Sequence, residues 1–175
     1  KKIKIMKTND IPQRLKSFRS FMEDHNLSAF IVPSTDAHLS EYPPKVWESR
    51  KWISGFTGSA GTAVITLDKA GVWTDSRYFL QAADELEGTG FELFKMGQSE
   101  TPEMISWIIS QLRKGQTVGI DGLVYATSDA LQLQKRLDSK GIQLETLLDP
   151  FSVIWEDRPE IPKNKVFSLP ENITG

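Results

Sequence analysis

Apolar side chains recur every three or four residues over positions 10–25, which predicts an amphipathic helix. This apolar face comprises Ile11, Leu15, Phe18 and Met22. The run LSAFIVP follows at Leu27–Pro33, and a short apolar stretch closed by proline predicts a buried strand. The chain therefore opens with a helix and a strand.

The middle of the chain continues this alternation. Residues 45–55 predict a short helix that ends at glycine. The segments TAVITLD and AGVWTD predict two strands that form a hairpin, with a turn near Asp68–Gly71. Residues 76–88 then predict a helix between an N-cap serine and a closing glycine, and FELFKM at 91–96 predicts a further strand.

The last third repeats the pattern before its character changes. Residues 101–115 predict a helix, because a capping threonine and a proline precede the apolar positions and a glycine follows them. TVGID and residues 142–148 predict strands on either side of a helix at 127–139. From Asp149 onward four prolines interrupt the chain, so we expect an exit segment without a clear helix.

The order of these elements predicts the fold class. Strands that alternate with helices after an opening hairpin indicate an α/β fold, in which a mixed β-sheet is flanked by helices on both faces. A length of 175 residues fits one domain with a real core. We expect the sheet to supply that core.

Charge and cysteine content narrow the classes of partner and compartment. The 21 basic and 23 acidic residues give a net charge of −2, which offers no broad positive field to phosphate backbones, so nucleic acid is not an expected partner. Cysteine is absent, which excludes disulfides, thiolate zinc sites and thiol catalysis and fits a reducing compartment. No stretch of eighteen apolar residues occurs, so we expect a cytoplasmic protein without a membrane partner.

Three glycines recur at intervals of three in the segment GFTGSAGTAVI, at Gly55, Gly58 and Gly61. A Walker loop needs a lysine and a hydroxyl residue after its last glycine, and a dinucleotide loop must open a helix; neither follows here. Ser59 does not fit a nucleophile elbow, because Thr57 stands where that motif needs glycine. We therefore interpret the first glycine as a helix cap and the other two as points of positive φ or close backbone approach.

Polar candidates cluster in PSTDAHLSEYPP, just after the first predicted strand, where ligands tend to bind in α/β sheets. They are Asp36, His38, Glu41 and Tyr42. The first three would supply three metal ligands, but we favour a hydrogen-bonded turn, because serine, threonine and aspartate readily bond to their own backbone. A Ser-His-Asp triad built on His38 has no support, since no nucleophile turn was found.

The segment VWTDSRYFLQAADEL adds Arg77 and Tyr78 to the candidates. Asp75 and Ser76 are predicted to cap the helix that follows. Its apolar face is predicted to comprise Phe79, Ala82, Ala83 and Leu86. Arg77 lies where the helix dipole disfavours a cation, which predicts a carboxylate partner, while Tyr78 is interpreted first as a packing residue.

Four segments between Leu27 and Pro162 stand together in an order that is similar to a known family. They are PSTDAHLSEY, WISGFTGSAGTAVIT, WTDSRYFLQAADEL and IWEDRPEIP. In order and spacing they resemble the amino-terminal domain of aminopeptidase P, the Xaa-Pro aminopeptidase of the creatinase and prolidase superfamily, in its longer three-domain cytosolic form. The resemblance implies a creatinase N-terminal-domain-like fold with a ribonuclease H-like motif.

The same resemblance implies a metallopeptidase that removes the amino-terminal residue when proline follows it. Its catalytic domain would hold two divalent metal ions, expected to be manganese, on two aspartates, a histidine and two glutamates, because paired ions generate a hydroxide nucleophile. None of these ligands is assigned in this chain, which alone is expected to be inactive. Residues 1–160 would form the amino-terminal domain, and residues 161–175 a linker and the first residues of a second domain.

In this family such domains cover the catalytic cleft and take part in oligomer contacts. The resemblance therefore implies a homo-oligomer that acts on peptides with proline at the second position. We hypothesise that the DAHLSEY loop, Asp36–Tyr42, lines the access side of the cleft together with Arg77 and Tyr78. The residues of this access surface would be Asp36, His38, Glu41, Tyr42, Arg77 and Tyr78.

Two other functions stay open on the sequence alone. The chain would be a non-enzymatic peptide- or protein-binding module of the same fold, as in catalytically dead relatives within a histone chaperone, although its near-neutral charge argues against histone binding. Alternatively, it would be a free-standing small-molecule enzyme that uses Asp36, His38 and Glu41.

Overall fold

A computed structural model describes residues 10–165 and 167–168 of the chain. The elements in chain order are α1 (Ile11–Asp24), β1 (Ala29–Val32), α2 (Ser49–Ser54), β2 (Thr62–Thr66), β3 (Ala70–Thr74), α3 (Phe79–Glu85), β4 (Glu92–Lys95), α4 (Met104–Gln111), β5 (Thr117–Ile120), α5 (Thr127–Asp138), β6 (Gln143–Glu145) and α6 (Phe151–Ile154). Short 3-10 turns at Lys45–Trp47, Ser76–Tyr78 and Gly122–Val124 precede α2, α3 and α5. No helix in this described part of the chain combines the length and the apolar character needed to cross a membrane.

The six strands form one mixed sheet in the order β4-β3-β2-β1-β5-β6. β2 pairs antiparallel with both β1 and β3, which confirms the predicted hairpin. The pairs β1 with β5, β5 with β6 and β3 with β4 are parallel. In the centre of the sheet, Phe30 of β1 lies opposite Ile65 of β2 and Gly119 of β5.

Side chains along β1 alternate between two apolar cores, one on each face of the sheet. Phe30 and Val32 belong to the first core, and Ala29 and Ile31 belong to the second. Helices α1, α2, α3 and α6 cover the first core with Leu15, Phe18, Ile53, Ala82 and Phe151. Helices α4 and α5 cover the second with Ile108, Leu133 and Leu137. The predicted mixed sheet with helices on both faces is therefore confirmed.

The chain after Asp149 is not only an exit segment, so that part of the prediction was wrong. Helix α6 brings Phe151 against Phe18 and Trp52, with ring centroids 5.6 and 6.0 Å apart. Trp155 then stacks on Trp52 at 5.2 Å. The four residues of α6 make about one turn, which is too short for periodicity to be visible in the sequence.

Helix α3 begins later than predicted, because a 3-10 turn capped by Asp75 precedes it. The Asp75 carboxylate accepts a hydrogen bond from the Arg77 backbone N–H at 3.1 Å and closes a 3-10 turn, so α3 starts only at Phe79. The predicted apolar face is also partly wrong, since Ala83 is exposed to solvent.

Helix α4 begins at Met104 and not at Thr101. The carbonyl of Pro102 accepts a hydrogen bond from the Trp73 indole at 3.0 Å, which holds the chain outside the helix at this point. Glu103 is the cap, because its side chain accepts from the Ser106 backbone N–H at 2.9 Å.

Two further boundaries differ from the predictions. The turn of the hairpin lies at residues 67–69, because the Thr66 N–H donates to the Lys69 carbonyl at 2.8 Å and β3 starts at Ala70. The last strand is shorter than the predicted 142–148. Most of the segment predicted to begin a second domain lies outside the described residues.

We expect Phe151→Ala to lower the free energy of unfolding by about 3–5 kcal/mol, because it empties a site in the first core. The Phe151 side chain is 3% exposed there. Urea unfolding followed by tryptophan fluorescence measures the change. Val153→Ala is the matched control in the same helix, since Val153 is 68% exposed. A loss with Phe151→Ala no larger than with this control would contradict the prediction.

Candidate functional site

The loop after β1 is folded around a buried carboxylate. Asp36 is 1% exposed, and its Oδ1 accepts hydrogen bonds from the backbone N–H groups of His38 and Ser40, both at 2.9 Å. Its carbonyl oxygen accepts a further bond from the Leu39 N–H at 3.2 Å. These bonds form the hydrogen-bonded turn favoured from the sequence. No group of three or more metal-ligand side chains within the described residues is arranged to hold an ion.

Hydrogen bonding keeps the Asp36 carboxylate ionised despite its burial. Burial acts to raise its pKa. The hydrogen bonds from Ser40 and His38 and the charge of His38 together lower the pKa by more than burial raises it, so the pKa lies below its usual value. The second oxygen, Oδ2, is buried and has no hydrogen-bond partner within the described part of the chain. Asp36 therefore supports the loop and does not present a free carboxylate.

Glu41 and Tyr42 line a pocket of about 420 Å³ between this loop and α2. Tyr42 is 82% exposed, so its side chain stands at the mouth of the pocket. Arg50 and the segment Thr57–Ser59 also line it, and this segment belongs to the loop of Gly55, Gly58 and Gly61, called here the glycine loop. His38 is exposed but does not line this pocket.

Arg77 and Tyr78 contact different partners. The Arg77 guanidinium forms two hydrogen bonds of 2.9 Å with the Asp75 carboxylate, which confirms the predicted carboxylate partner. These hydrogen bonds from Arg77 lower the pKa of Asp75 to about 2. Tyr78 instead reaches the glycine loop, where its hydroxyl lies 2.6 Å from the Ser59 hydroxyl.

The structure thus brings together only part of the predicted access surface. Glu41 and Tyr42 share a pocket with Ser59, and Tyr78 is joined to that pocket through its hydrogen bond with Ser59. The Arg77 guanidinium forms an ion pair with Asp75 in its own turn. Of the remaining candidates, Asp36 is buried and accepts hydrogen bonds from its own loop, while His38 is exposed and lies outside the pocket.

Sequence reasoning missed Arg50, which is the buried cation behind the pocket. Its Nε donates to the Ser34 hydroxyl at 2.7 Å, its Nη1 donates to the Phe56 carbonyl at 2.9 Å, and its Nη2 donates to the Gly58 carbonyl. The guanidinium also lies 4.6 Å above the Phe56 ring. Burial lowers the pKa of Arg50 to about 10, while the charge of Glu85 opposes that shift.

The glycine loop is held by hydrogen bonds at most of its positions. Thr57 bonds to the Glu85 carboxylate through its N–H at 2.7 Å and its hydroxyl at 2.6 Å. Gly55 ends α2 with a φ of 81°, as predicted. A Cβ atom at Gly58 would lie 2.3 Å from the Phe56 ring and 2.8 Å from the Tyr78 ring, which confirms the predicted close approach.

Comparisons with known proteins agree with this fold. The family profile described as the Creatinase/Prolidase N-terminal domain matches residues 14–153. The chain belongs to this family. Mouse Xaa-Pro aminopeptidase 2 is 41% identical over 164 residues, which cover 93% of this chain and 24% of that protein. A probable Xaa-Pro aminopeptidase P of Pyricularia oryzae is 41% identical over 173 residues, which cover 97% of this chain and 28% of that protein.

Solved structures show the same architecture. The X-prolyl aminopeptidase of Caenorhabditis elegans, a cytosolic enzyme with a di-nuclear active site, superposes with a TM-score of 0.81 at 30% identity, over 90% of this chain and 27% of that one. The N-terminal domain of PepQ from Mycobacterium tuberculosis shares the fold at a TM-score of 0.58 and 17% identity, over 82% of this chain and 98% of that domain. The chain therefore spans about a quarter of the length of the full Xaa-Pro aminopeptidases it matches.

Asp36 should contribute stability that depends on pH. Its folded pKa is lowered, so the contribution is present above the unfolded pKa of about 4 and is lost as the pH falls through the folded value. We expect Asp36→Asn to lower the free energy of unfolding by about 1–2 kcal/mol at neutral pH, because two hydrogen bonds lose their charged acceptor. Urea unfolding as a function of pH measures the difference, which should shrink in acid. A difference that is independent of pH would contradict this prediction.

Arg50→Met should lower the free energy of unfolding by about 2–4 kcal/mol, because the Phe56 and Gly58 carbonyls lose their donor. Arg50→Lys should not restore it, since an ammonium group cannot reproduce the planar set of donors. Lys51→Met is the matched control, because Lys51 forms a half-exposed ion pair with Glu48 at 3.3 Å. Thermal and urea unfolding of the three variants provide the measurement, and equal stability of Arg50→Met and the control would refute the role given to Arg50.

Proposed function

We propose that this chain is the non-catalytic N-terminal domain of a metal-dependent Xaa-Pro aminopeptidase, which removes the residue that precedes proline. The observation that carries this proposal is the identity of about 40% over nearly the whole chain to Xaa-Pro aminopeptidases that are about four times as long. The active protein would be a cytoplasmic homo-oligomer whose substrates are peptides with proline at the second position. Neither nucleic acid nor a membrane is a proposed partner.

We assign the metal ions to the rest of the full-length protein. The described residues do not fit a metal centre, since they contain no suitable cluster of histidine, aspartate and glutamate. The C. elegans relative has a di-nuclear active site, and this chain covers only 27% of that enzyme. Two divalent ions, which we expect to be manganese, would therefore be held outside the present domain.

The domain itself would restrict entry to the catalytic cleft and support oligomer contacts. Its contribution to the cleft would come from the loop after β1, with Glu41 and Tyr42 beside the opening and Tyr78 anchored behind them. Asp36 would hold this loop in shape, while His38 and Arg77 would border it as exposed charged or polar groups.

We place the domain boundary near residue 160. The family match ends at residue 153, and the last buried aromatic side chain of the described residues is Trp155. Residues 159–165 have no regular structure and are mostly exposed, as expected for a linker.

The test is hydrolysis of an Xaa-Pro series by the full-length protein, from a dipeptide to a nonapeptide, with and without added manganese. We expect metal-dependent release of the first residue, and no release by the 175-residue chain alone. Tyr42→Ala should change the ratio of kcat/KM between long and short peptides by about threefold, or about 0.6 kcal/mol, because its side chain borders the opening.

Leu131→Ala is the control, since Leu131 is an exposed leucine on α5. Hydrolysis without proline at the second position would sink the proposed activity. An unchanged length ratio for Tyr42→Ala, His38→Ala and Arg77→Ala would instead sink the proposed role of the loop and leave the activity standing.

A further inference from the structure

A second pocket lies on the other side of the same loop, where the connections of the sheet diverge. The chain leaves β1 toward α2 on one face and leaves β5 toward α5 on the other, while β1 and β5 are parallel neighbours. Such a switch point opens a crevice at the carboxyl ends of the two strands, where α/β proteins bind their ligands. A pocket of about 370 Å³ occupies this position.

Residues that follow the two strands form the base of this switch-point pocket. Pro33 and Thr35 come from the loop after β1, and Val124 and Tyr125 come from the loop after β5. The Thr35 hydroxyl donates to the Val124 carbonyl at 2.6 Å and joins the two loops. The rest of the wall is largely apolar and includes Ile31, Leu39, Met104, Ile105 and Leu133.

Tyr125 places an unused hydroxyl in this apolar wall. The described residues offer it no hydrogen-bond partner, and burial, followed by the charge of Asp129, raises the pKa of its phenol. The group is therefore a neutral donor. The hydroxyl oxygen is not fully buried, so it is open to the pocket and available to a ligand oxygen.

Leu39 stands at the mouth of the pocket in a strained conformation. Its φ is 53°, a left-handed value that β-carbon-bearing residues rarely adopt, and its side chain is 54% exposed. The hydrogen bonds to Asp36 hold the backbone in this conformation. Backbone strain of this kind persists where the surrounding structure enforces it, and it is concentrated at ligand sites.

The rim of the pocket carries one negative charge in excess. The Arg136 guanidinium forms two hydrogen bonds with the Glu103 carboxylate, at 2.9 and 2.7 Å, so this pair is neutral. Asp129 also lines the pocket, and none of the ion pairs within the described ranges involves it. The rim therefore complements a cationic group.

We propose that the switch-point pocket binds a peptide that carries an apolar side chain next to a basic one. The apolar side chain enters between Leu39 and Leu133, the Tyr125 hydroxyl donates to a peptide carbonyl, and the basic side chain faces Asp129. This site goes beyond the proposed function, because binding by this chain requires neither metal ions nor hydrolysis. The outcome is therefore independent of whether the full-length protein cleaves Xaa-Pro peptides.

The test is a titration of the ¹⁵N-labelled 175-residue chain with the acetylated and amidated peptide Gly-Gly-Leu-Arg-Gly, followed by amide chemical shifts. We expect saturable shifts at Leu39, Tyr125 and Ala126, with a Kd on the order of 1 mM or lower. Serine in place of the peptide leucine should weaken binding roughly tenfold or more, because the apolar burial is lost. Glutamine in place of the peptide arginine should weaken it roughly threefold.

Two variants of the chain separate this site from a general effect on folding. Tyr125→Phe keeps the ring and should weaken binding by about threefold to tenfold, while the control Val153→Ala, at an exposed position of α6, should bind as the parent chain does. Leu39→Gly should weaken binding and at the same time raise the melting temperature, since glycine relieves the backbone strain.

Three results would overturn the proposal. They are equal shifts with the leucine and serine peptides, unchanged affinity of Tyr125→Phe, and shifts confined to the pocket of Glu41 and Tyr42. Absence of saturable shifts at peptide concentrations well above about 1 mM would overturn it as well.

Discussion

The buried guanidinium of Arg50 has no ion-pair partner in the described residues, and its hydrogen bonds hold the central loops of this domain together. Burying a charge is unfavourable unless its hydrogen bonds are made, so the groups around Arg50 must keep their positions. Those groups are the Ser34 hydroxyl after β1 and the Phe56 and Gly58 carbonyls of the glycine loop. Through this one side chain, α2, the end of β1 and the glycine loop become a single unit. Ser59 then extends the unit to Tyr78 and the turn before α3.

The long periodic elements could be predicted from the sequence because the cause is local. The apolar spacing of α1 and the continuous apolar run of β1 report burial directly, and both elements lie where they were predicted. Strand order and the parallel pairing of β1 with β5 could not be predicted, since periodicity reports which face is buried and not which neighbour covers it. Helix α6 could not be predicted, because a single helical turn is too short to show a periodic pattern of apolar residues.

The candidate site was predictable only in outline. The turn around Asp36 follows from the local chemistry of serine, threonine and aspartate, whereas the two pockets beside it are completed by distant segments of the chain. The sequence contains one indication that Arg50 is buried. Arg50 lies four residues after Val46 and three before Ile53, which is the spacing of one face in the helix predicted over residues 45–55. A charged residue on such a stripe indicates a buried cation that organises its neighbours.

The contact between α1 and α6 has a consequence for synthesis of the protein. Phe18 and Phe151 pack together although most of the domain separates them in the chain. Strand β1 likewise cannot pair with β5 until β5 has been synthesised. The antiparallel strands β1, β2 and β3 can assemble from nearby segments while the apolar side of α1 is still uncovered. Until Trp155 has left the ribosome, the nascent chain therefore exposes apolar side chains and an unpaired strand edge. Binding by chaperones would protect the chain from aggregation during this interval.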